Sequence, residues 1–176
     1  MALLWYFEDY TLNELIGVLE LDKLYSPLTL LGLEFGLFYG IIVLIVSQAP
    51  LFKELSSPQT DLLKKIDFNW FDIFFISFCA GFGEEILFRA GIQTWLGPWI
   101  TSLFFIAIHG YFSITSFKKN ALGLLLFPFI LLLSFAYDAF GLWFCIAAHF
   151  AYDFLMFAMV LLENKERKRS KHNVKT

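Results

Sequence analysis

An all-α fold is what the sequence predicts: a polytopic transmembrane bundle of about five spans, with an interfacial helix at its N-terminus. Three observations carry that prediction. Of the 176 residues, 59% are hydrophobic and 16% are charged; the apolar residues fall in runs of membrane-spanning length; and the charges collect between those runs. A soluble domain runs near 45–50% apolar and about 25% charged. The excess here, a mean hydropathy of +0.67, is more than a core of this size can bury, so lipid must cover part of it. The 23 Phe residues suit such a lipid-facing surface.

The elements follow in chain order. Residues 1–27 form an N-terminal interfacial segment. Met1–Tyr25 mixes apolar residues with Glu8, Asp9, Glu14, Glu20 and Asp22, which would be costly inside lipid, and Trp5 and Tyr6 suit headgroup depth. It is not expected to be a cleavable signal peptide, because no basic residue precedes Met1–Phe7 and Glu8 and Asp9 interrupt the run. Residues 28–162 hold the transmembrane bundle. A span needs about 20 residues, and five stretches qualify: Leu28–Ser47, Trp70–Leu96, Pro98–Ser116, Ala121–Tyr137 and Gly141–Leu162. Pro27 opens the first near its N1 position. Leu51–Asn69 is a charged connection with room for one amphipathic helix. Leu96-Gly97-Pro98 marks a tight turn between the second and third spans, and Pro128 predicts a kink in the fourth. Residues 163–176 form a basic cytoplasmic tail.

Loop charges orient the bundle. Lys53, Lys64 and Lys65, then Lys118 and Lys119, then Lys165, Arg167, Lys168, Arg169, Lys171 and Lys175 fall on one side of alternating spans, against Lys23 alone on the other. The positive-inside rule puts the N-terminus outside and the C-terminus in the cytoplasm. The tail is then a topogenic, headgroup-binding segment and needs no nucleic acid to explain it. Cys79 and Cys145 lie in apolar runs without a CxxC motif and read as small buried hydrophobes.

Charged residues within spans are costly, so each is a functional hypothesis. The second span holds Glu84, Glu85 and Arg89, the third His109, the fifth His149 and Asp153. At about 1.5 Å per residue, Glu84 lies roughly 18 Å from the outer end of its span, His109 roughly 16 Å and His149 roughly 12 Å. All three fall in the middle layer of an apolar slab about 30 Å thick. Glu85 and Arg89, at i and i+4, can form a salt bridge that braces the helix. Glu84 points away from that pair and is left without an internal partner, as a general base should be. His149 and Asp153 also share a face. Gly81 and Gly83 would let another helix approach closely. Glu34 in the first span faces either a cavity or the outer interface and is assigned no chemistry.

At these residues the sequence resembles the CAAX-processing and bacteriocin-processing (ABI) family of intramembrane proteases, whose eukaryotic members include the Ras-converting endopeptidase. The family motifs EExxxR, FxxxH and HxxxN/D read here as Glu84-Glu85-xxx-Arg89, Phe105-xxx-His109 and His149-xxx-Asp153, in order, on separate spans. The resemblance covers a protease-like core of about 70–162. It implies an endopeptidase hydrolysing a peptide bond in a membrane-anchored or hydrophobic peptide, with the site reached from the cytoplasm. By motif position, Glu84 activates water, His109 helps hold it, and His149 with residue 153 stabilises the oxyanion. Prenyl-protein members typically carry Asn at that last position. Asp153 could donate only when protonated; alternatively it orients His149 or binds a metal. The favoured reading requires no cofactor. Zn²⁺ is the alternative, with Glu84, His109 and His149 as its ligands. Bacteriocin maturation or self-immunity is as open a role as prenyl-protein processing. Outside proteolysis, a small proton- or ion-coupled carrier would also bury Glu and His, though no internal repeat is present. A catalytically silent membrane scaffold is the third reading.

Overall fold

The computed structural model describes residues 16–49, 66, 68–112 and 117–173, and among them the ordered structure is helical throughout, without strands. Helix α1 (Pro27–Ser47) starts where Ser26 accepts a hydrogen bond from the Leu28 N–H and Pro27 occupies the first turn. Helix α2 (Trp70–Glu85) starts with a reciprocal cap. The Asn69 side chain accepts from the Phe71 and Asp72 N–H groups while Asp72 accepts from the Asn69 N–H. It continues into a π-helical stretch, Ile86–Ile92. Helix α3 (Gln93–Ile108) is broken at Gly97, whose φ of 71° and ψ of 171° make the turn read from Leu96-Gly97-Pro98. Helices α4 (Phe117–Phe140) and α5 (Leu142–Asn173) follow. A φ of 86° at Gly141 separates them.

Among the described residues, three helices are long and apolar enough to cross a membrane: Pro27–Ser47, Asn120–Phe140 and Leu142–Ser170. They correspond to the first, fourth and fifth expected spans. The second is helical from Trp70 through Ile92 and on to the break at Gly97, though not as one uninterrupted α-helix. The third needs correction. It was expected to run to Ser116, but α3 ends at Ile108. Gly110 takes a φ of 77°, and the Gly110 and Tyr111 N–H groups turn back onto the Ala107 and Ile106 carbonyls. His109 therefore stands at a helix terminus instead of in mid-span. The expected interfacial helix with Trp5 and Tyr6, the amphipathic helix in Leu51–Asn69 and the Ser113–Ser116 end of the third span fall wholly or largely outside the described residues.

Helix α5 is the axis of the bundle, with α1 and α2 along its length and α4 beside it, while α3 packs on α4. Glycines set these distances. A Cβ at Gly32 would sit 2.4 Å from the Phe144 carbonyl oxygen, one at Gly36 would sit 2.0 Å from that of Ala148, and one at Gly81 would sit 2.9 Å from the Phe150 nitrogen. Both neighbours thus reach main-chain contact with α5, as small residues allow in membranes. Gly83 meets nothing within 4 Å, so of the two glycines expected to admit a helix, Gly81 alone does so. The Tyr39 hydroxyl donates to the Leu125 carbonyl at 2.7 Å, in the turn of α4 that Pro128 disrupts. At the start of α5, Glu20 accepts from its first N–H, that of Leu142, at 2.8 Å, and the Trp143 indole donates to the Leu19 carbonyl at 2.7 Å.

The two cysteines differ from each other. Both are free and Cys145 is buried as expected, but Cys79 is exposed. It shares the outward face of α2 with Phe71, Phe75 and Phe78, where lipid would solvate it. Glu34 is also exposed.

Candidate active site

All six polar residues singled out in the spans meet at one place, where the end of α2 and the end of α3 face the middle of α5. The α2 end supplies two adjacent acids that project differently. Glu85 is fully buried, and its two oxygens are divided between partners: one accepts from Arg89 Nε at 2.7 Å, the other from His149 Nδ1 at 2.7 Å. The expected Glu85–Arg89 salt bridge is present, and Glu85 also orients a histidine of another helix. His149 and Asp153 share a face of α5, as their spacing predicts, with Asp153 Oδ2 3.6 Å from His149 Nε2. That is too long for a hydrogen bond.

Glu84 faces the other way, and its side chain keeps 31% exposure. Its Oε2 lies 3.3 Å from His109 Nε2 and 3.9 Å from His149 Nε2. Neither contact is a hydrogen bond, so this buried oxygen has no donor. The tautomers follow from the opposite ring nitrogens. His109 Nδ1 is 2.7 Å from the Phe105 carbonyl, an acceptor only, so Nδ1 carries a proton, and Nε2 presents a lone pair when the ring is neutral. His149 Nδ1 donates to Glu85 in the same way. Phe105 also stacks on the His109 ring, centroids 4.1 Å apart, which fixes its plane. Two imidazole Nε2 atoms and one carboxylate oxygen thus converge: the carboxylate accepts, and each Nε2 accepts when its ring is neutral and donates when the ring is protonated. A species with protons to give, such as water, satisfies that arrangement.

The same donor set invites a metal, and its spacing tests the idea. Ligands tetrahedral about zinc at about 2.0–2.1 Å stand roughly 3.3–3.4 Å apart. The Glu84–His109 separation matches; the 3.9 Å to His149 does not. Among the described residues no three His, Cys, Asp or Glu are grouped to hold an ion. The residues as placed do not fit zinc.

The site lies in a cavity of about 240 Å³. Glu84, His109, His149 and Asp153 line one part; Ser47 at the end of α1 and Glu163 on α5 line another. Between them the wall is apolar, with Leu126, Phe129 and Met156 among its residues. From Asp153 to Glu163 is about 15 Å at helical rise. The cavity therefore extends toward the end of the bundle from which the basic part of α5 emerges.

Sequence reasoning missed the buried polar residues behind the ion pair. Arg89 Nη1 donates to Ser134 Oγ at 2.5 Å and stands 3.5 Å from Gln93 Oε1, while Gln93 Nε2 donates to the Ser134 carbonyl at 2.7 Å. Ser102 Oγ is 2.8 Å from Ser134 Oγ. Gln93 follows Arg89 at i+4, and Ser102 and Ser134 are polar residues within apolar runs; those were the available signals.

A family model described as type II CAAX prenyl endopeptidase Rce1-like matches residues 66–155. A curated relative, the uncharacterized protein YpbD of Bacillus subtilis (strain 168), is 30% identical over 105 residues, covering 59% of this chain and 53% of the relative. The chain thus spans about half the length of that relative. No solved structure matches.

Proposed function

This chain belongs to the type II CAAX prenyl endopeptidase Rce1-like family, and from that premise we propose that it is an intramembrane endopeptidase using water activated by Glu84. It is a multi-pass integral membrane protein, as its long apolar helices and its family require. The observation that carries the mechanism is the convergence of His109 Nε2 and His149 Nε2 on the unpartnered Oε2 of Glu84.

In this mechanism a water sits between Glu84 and the imidazoles. Glu84 takes one of its protons as the oxygen attacks the peptide carbon, and His109 accepts the other hydrogen in a hydrogen bond, which orients the nucleophile. As an imidazolium, with its Nδ1–H held by Glu85, His149 has a second proton on Nε2 that points toward the developing oxyanion. Glu84 then returns its proton to the leaving amine. Arg89 and Glu85 touch no substrate; they hold His149.

The substrate is a membrane-anchored or hydrophobic peptide. Support comes from the apolar wall of the cavity between Glu163 and the acid. The basic part of α5, with Lys165, Lys168 and Arg169, supports a cytoplasmic C-terminus and an outside N-terminus, so the cavity mouth would receive substrate from the cytoplasmic side. The division into a 1–27 interfacial segment, a 28–162 bundle and a 163–176 tail belongs to the same reading, with residues 163–173 a helical continuation of the last span.

The test is peptide cleavage by purified wild-type and Glu84→Gln protein, with metal analysis of both. Wild type should cleave hydrophobic peptides and the variant should lose cleavage while remaining folded. Undiminished cleavage by the variant refutes the assignment. Bound metal lost together with activity on chelation would replace the metal-free mechanism.

A further inference from the structure

The buried network behind Glu85 is larger than an ion pair requires, and its geometry bears on the active site. Arg89 is fully buried and gripped at two separated points. Nε donates to Glu85, and Nη1 donates to Ser134 Oγ with Gln93 Oε1 at 3.5 Å. A guanidinium bonded through Nε alone could swing about that bond, whereas one held also at Nη1 is fixed in its plane. A fixed guanidinium fixes the Glu85 carboxylate, whose other oxygen receives His149 Nδ1. Ser134 is suited to the far end. Its single proton goes to the Ile130 carbonyl at 3.1 Å or to Ser102 Oγ at 2.8 Å, leaving lone pairs for Arg89. Ser134, Ser102, Arg89 and Glu85 are all fully buried, so water does not replace a lost partner.

We propose that Ser134 is a positioning residue for the active site, holding His149 in register through Arg89 and Glu85. It touches no substrate and acts across four elements, α4, the π-helical stretch, α2 and α5. The proposal rests on the proteolytic reading for its kinetic consequence but not for its structural one. The functional role of the network differs from mere packing of α4, because packing would tolerate loss of the hydroxyl without disturbing an imidazole at the far end of the chain of bonds.

The experiment pairs kinetics with a spectroscopic signature that needs no activity. The chain has 3 His, so ¹⁵N spectra of purified protein in micelles can be assigned by replacing each in turn. Ser134→Ala should shift the His149 ring nitrogens away from a hydrogen-bonded Nδ1–H and lower kcat about tenfold with KM unchanged. Thr101→Val is the control, because the buried Thr101 hydroxyl has no partner; it should leave both readouts as in wild type. In a Glu85→Gln background, Ser134→Ala should add no further loss, whereas independent packing effects would add. If Ser134→Ala does not fold, Ser134→Cys, similar in shape and a weaker acceptor, reads the same signals. An unchanged His149 spectrum in a folded Ser134 variant overturns the proposal. Absence of cleavage by wild type with the spectral shift intact overturns the proteolytic reading alone.

Discussion

Glu84 and Glu85 are neighbours in sequence and opposites in environment, and that difference makes a prediction at the residue scale. Glu85 is enclosed, with each oxygen bonded; Glu84 looks into the cavity with an oxygen no donor reaches. Removing one charge of a buried, bonded pair costs about 3–5 kcal/mol, so Glu85→Gln should lower stability by that order as well as activity. Glu84→Gln should remove activity and leave the unfolding midpoint in detergent unchanged. Equal destabilisation by both would mean that the acids do not divide the work this way. Asp153 yields a second prediction. At 3.6 Å from His149 Nε2 it does not orient that ring, so Asp153→Asn should keep kcat/KM within a few-fold of wild type; a hundredfold loss would show that the carboxylate itself is needed. The sequence disclosed all these residues, because charges in apolar runs stand out. It gave the Glu85–Arg89 pair but not the bond between Glu85 on α2 and His149 on α5, because i,i+4 spacing reports neighbours on one helix. Ser134 and Ser102 were harder still, since a serine is too common within apolar helices to signal a network.

Among the elements, α1 and α2 depend on glycine to reach α5, and the contacts rank the glycines. A methyl at Gly36 would stand 2.0 Å from the Ala148 carbonyl oxygen, a main-chain atom that cannot move aside without shifting α5 next to His149. Gly36→Ala should therefore displace α1, lowering the unfolding midpoint sharply, at a cost on the order of 3 kcal/mol or more by analogy with overpacked cores, and reducing cleavage. Gly83→Ala, with open space at its Cβ, should be neutral or stabilise by about 0.5–1 kcal/mol through helix propensity. Comparable losses in the two variants would rule out close packing as the cause. The first helix start and the turn between the second and third spans were readable because Pro27 and Gly97 are local signals. The end of α3 was not read, since Tyr111 and Phe112 continue the apolar run and Gly110 alone announces the stop. The π-helical stretch had no local signal at all. It follows directly on Glu85 and contains Arg89, consistent with the tendency of such turns to occur at functional sites.

For the whole molecule, the two ends of α5 are held differently, and this bears on how the bundle sits in a membrane. At one end Glu20, in a left-handed backbone conformation with φ 44°, accepts from Leu142 N–H and pairs with Lys23 at 2.6 Å. A non-glycine residue holds that conformation only when its surroundings over-determine it, and here the helix N-terminus gains an acid where the dipole favours one. At the other end α5 runs on into Lys165, Lys168 and Arg169, with Lys165 Nζ 5.5 Å from the centre of the Trp70 ring. An indole at that level suits headgroup depth, and cations beyond it suit anionic lipid. If that end is cytoplasmic, an impermeant thiol reagent should label Ser170→Cys, in a chain with Cys79 and Cys145 replaced, only after cells are opened. Labelling of intact cells would invert the bundle and turn the end of the cavity lined by Ser47 and Glu163 to the outside. Glu84 and the histidines would remain together, but their substrate would have to arrive from the opposite face.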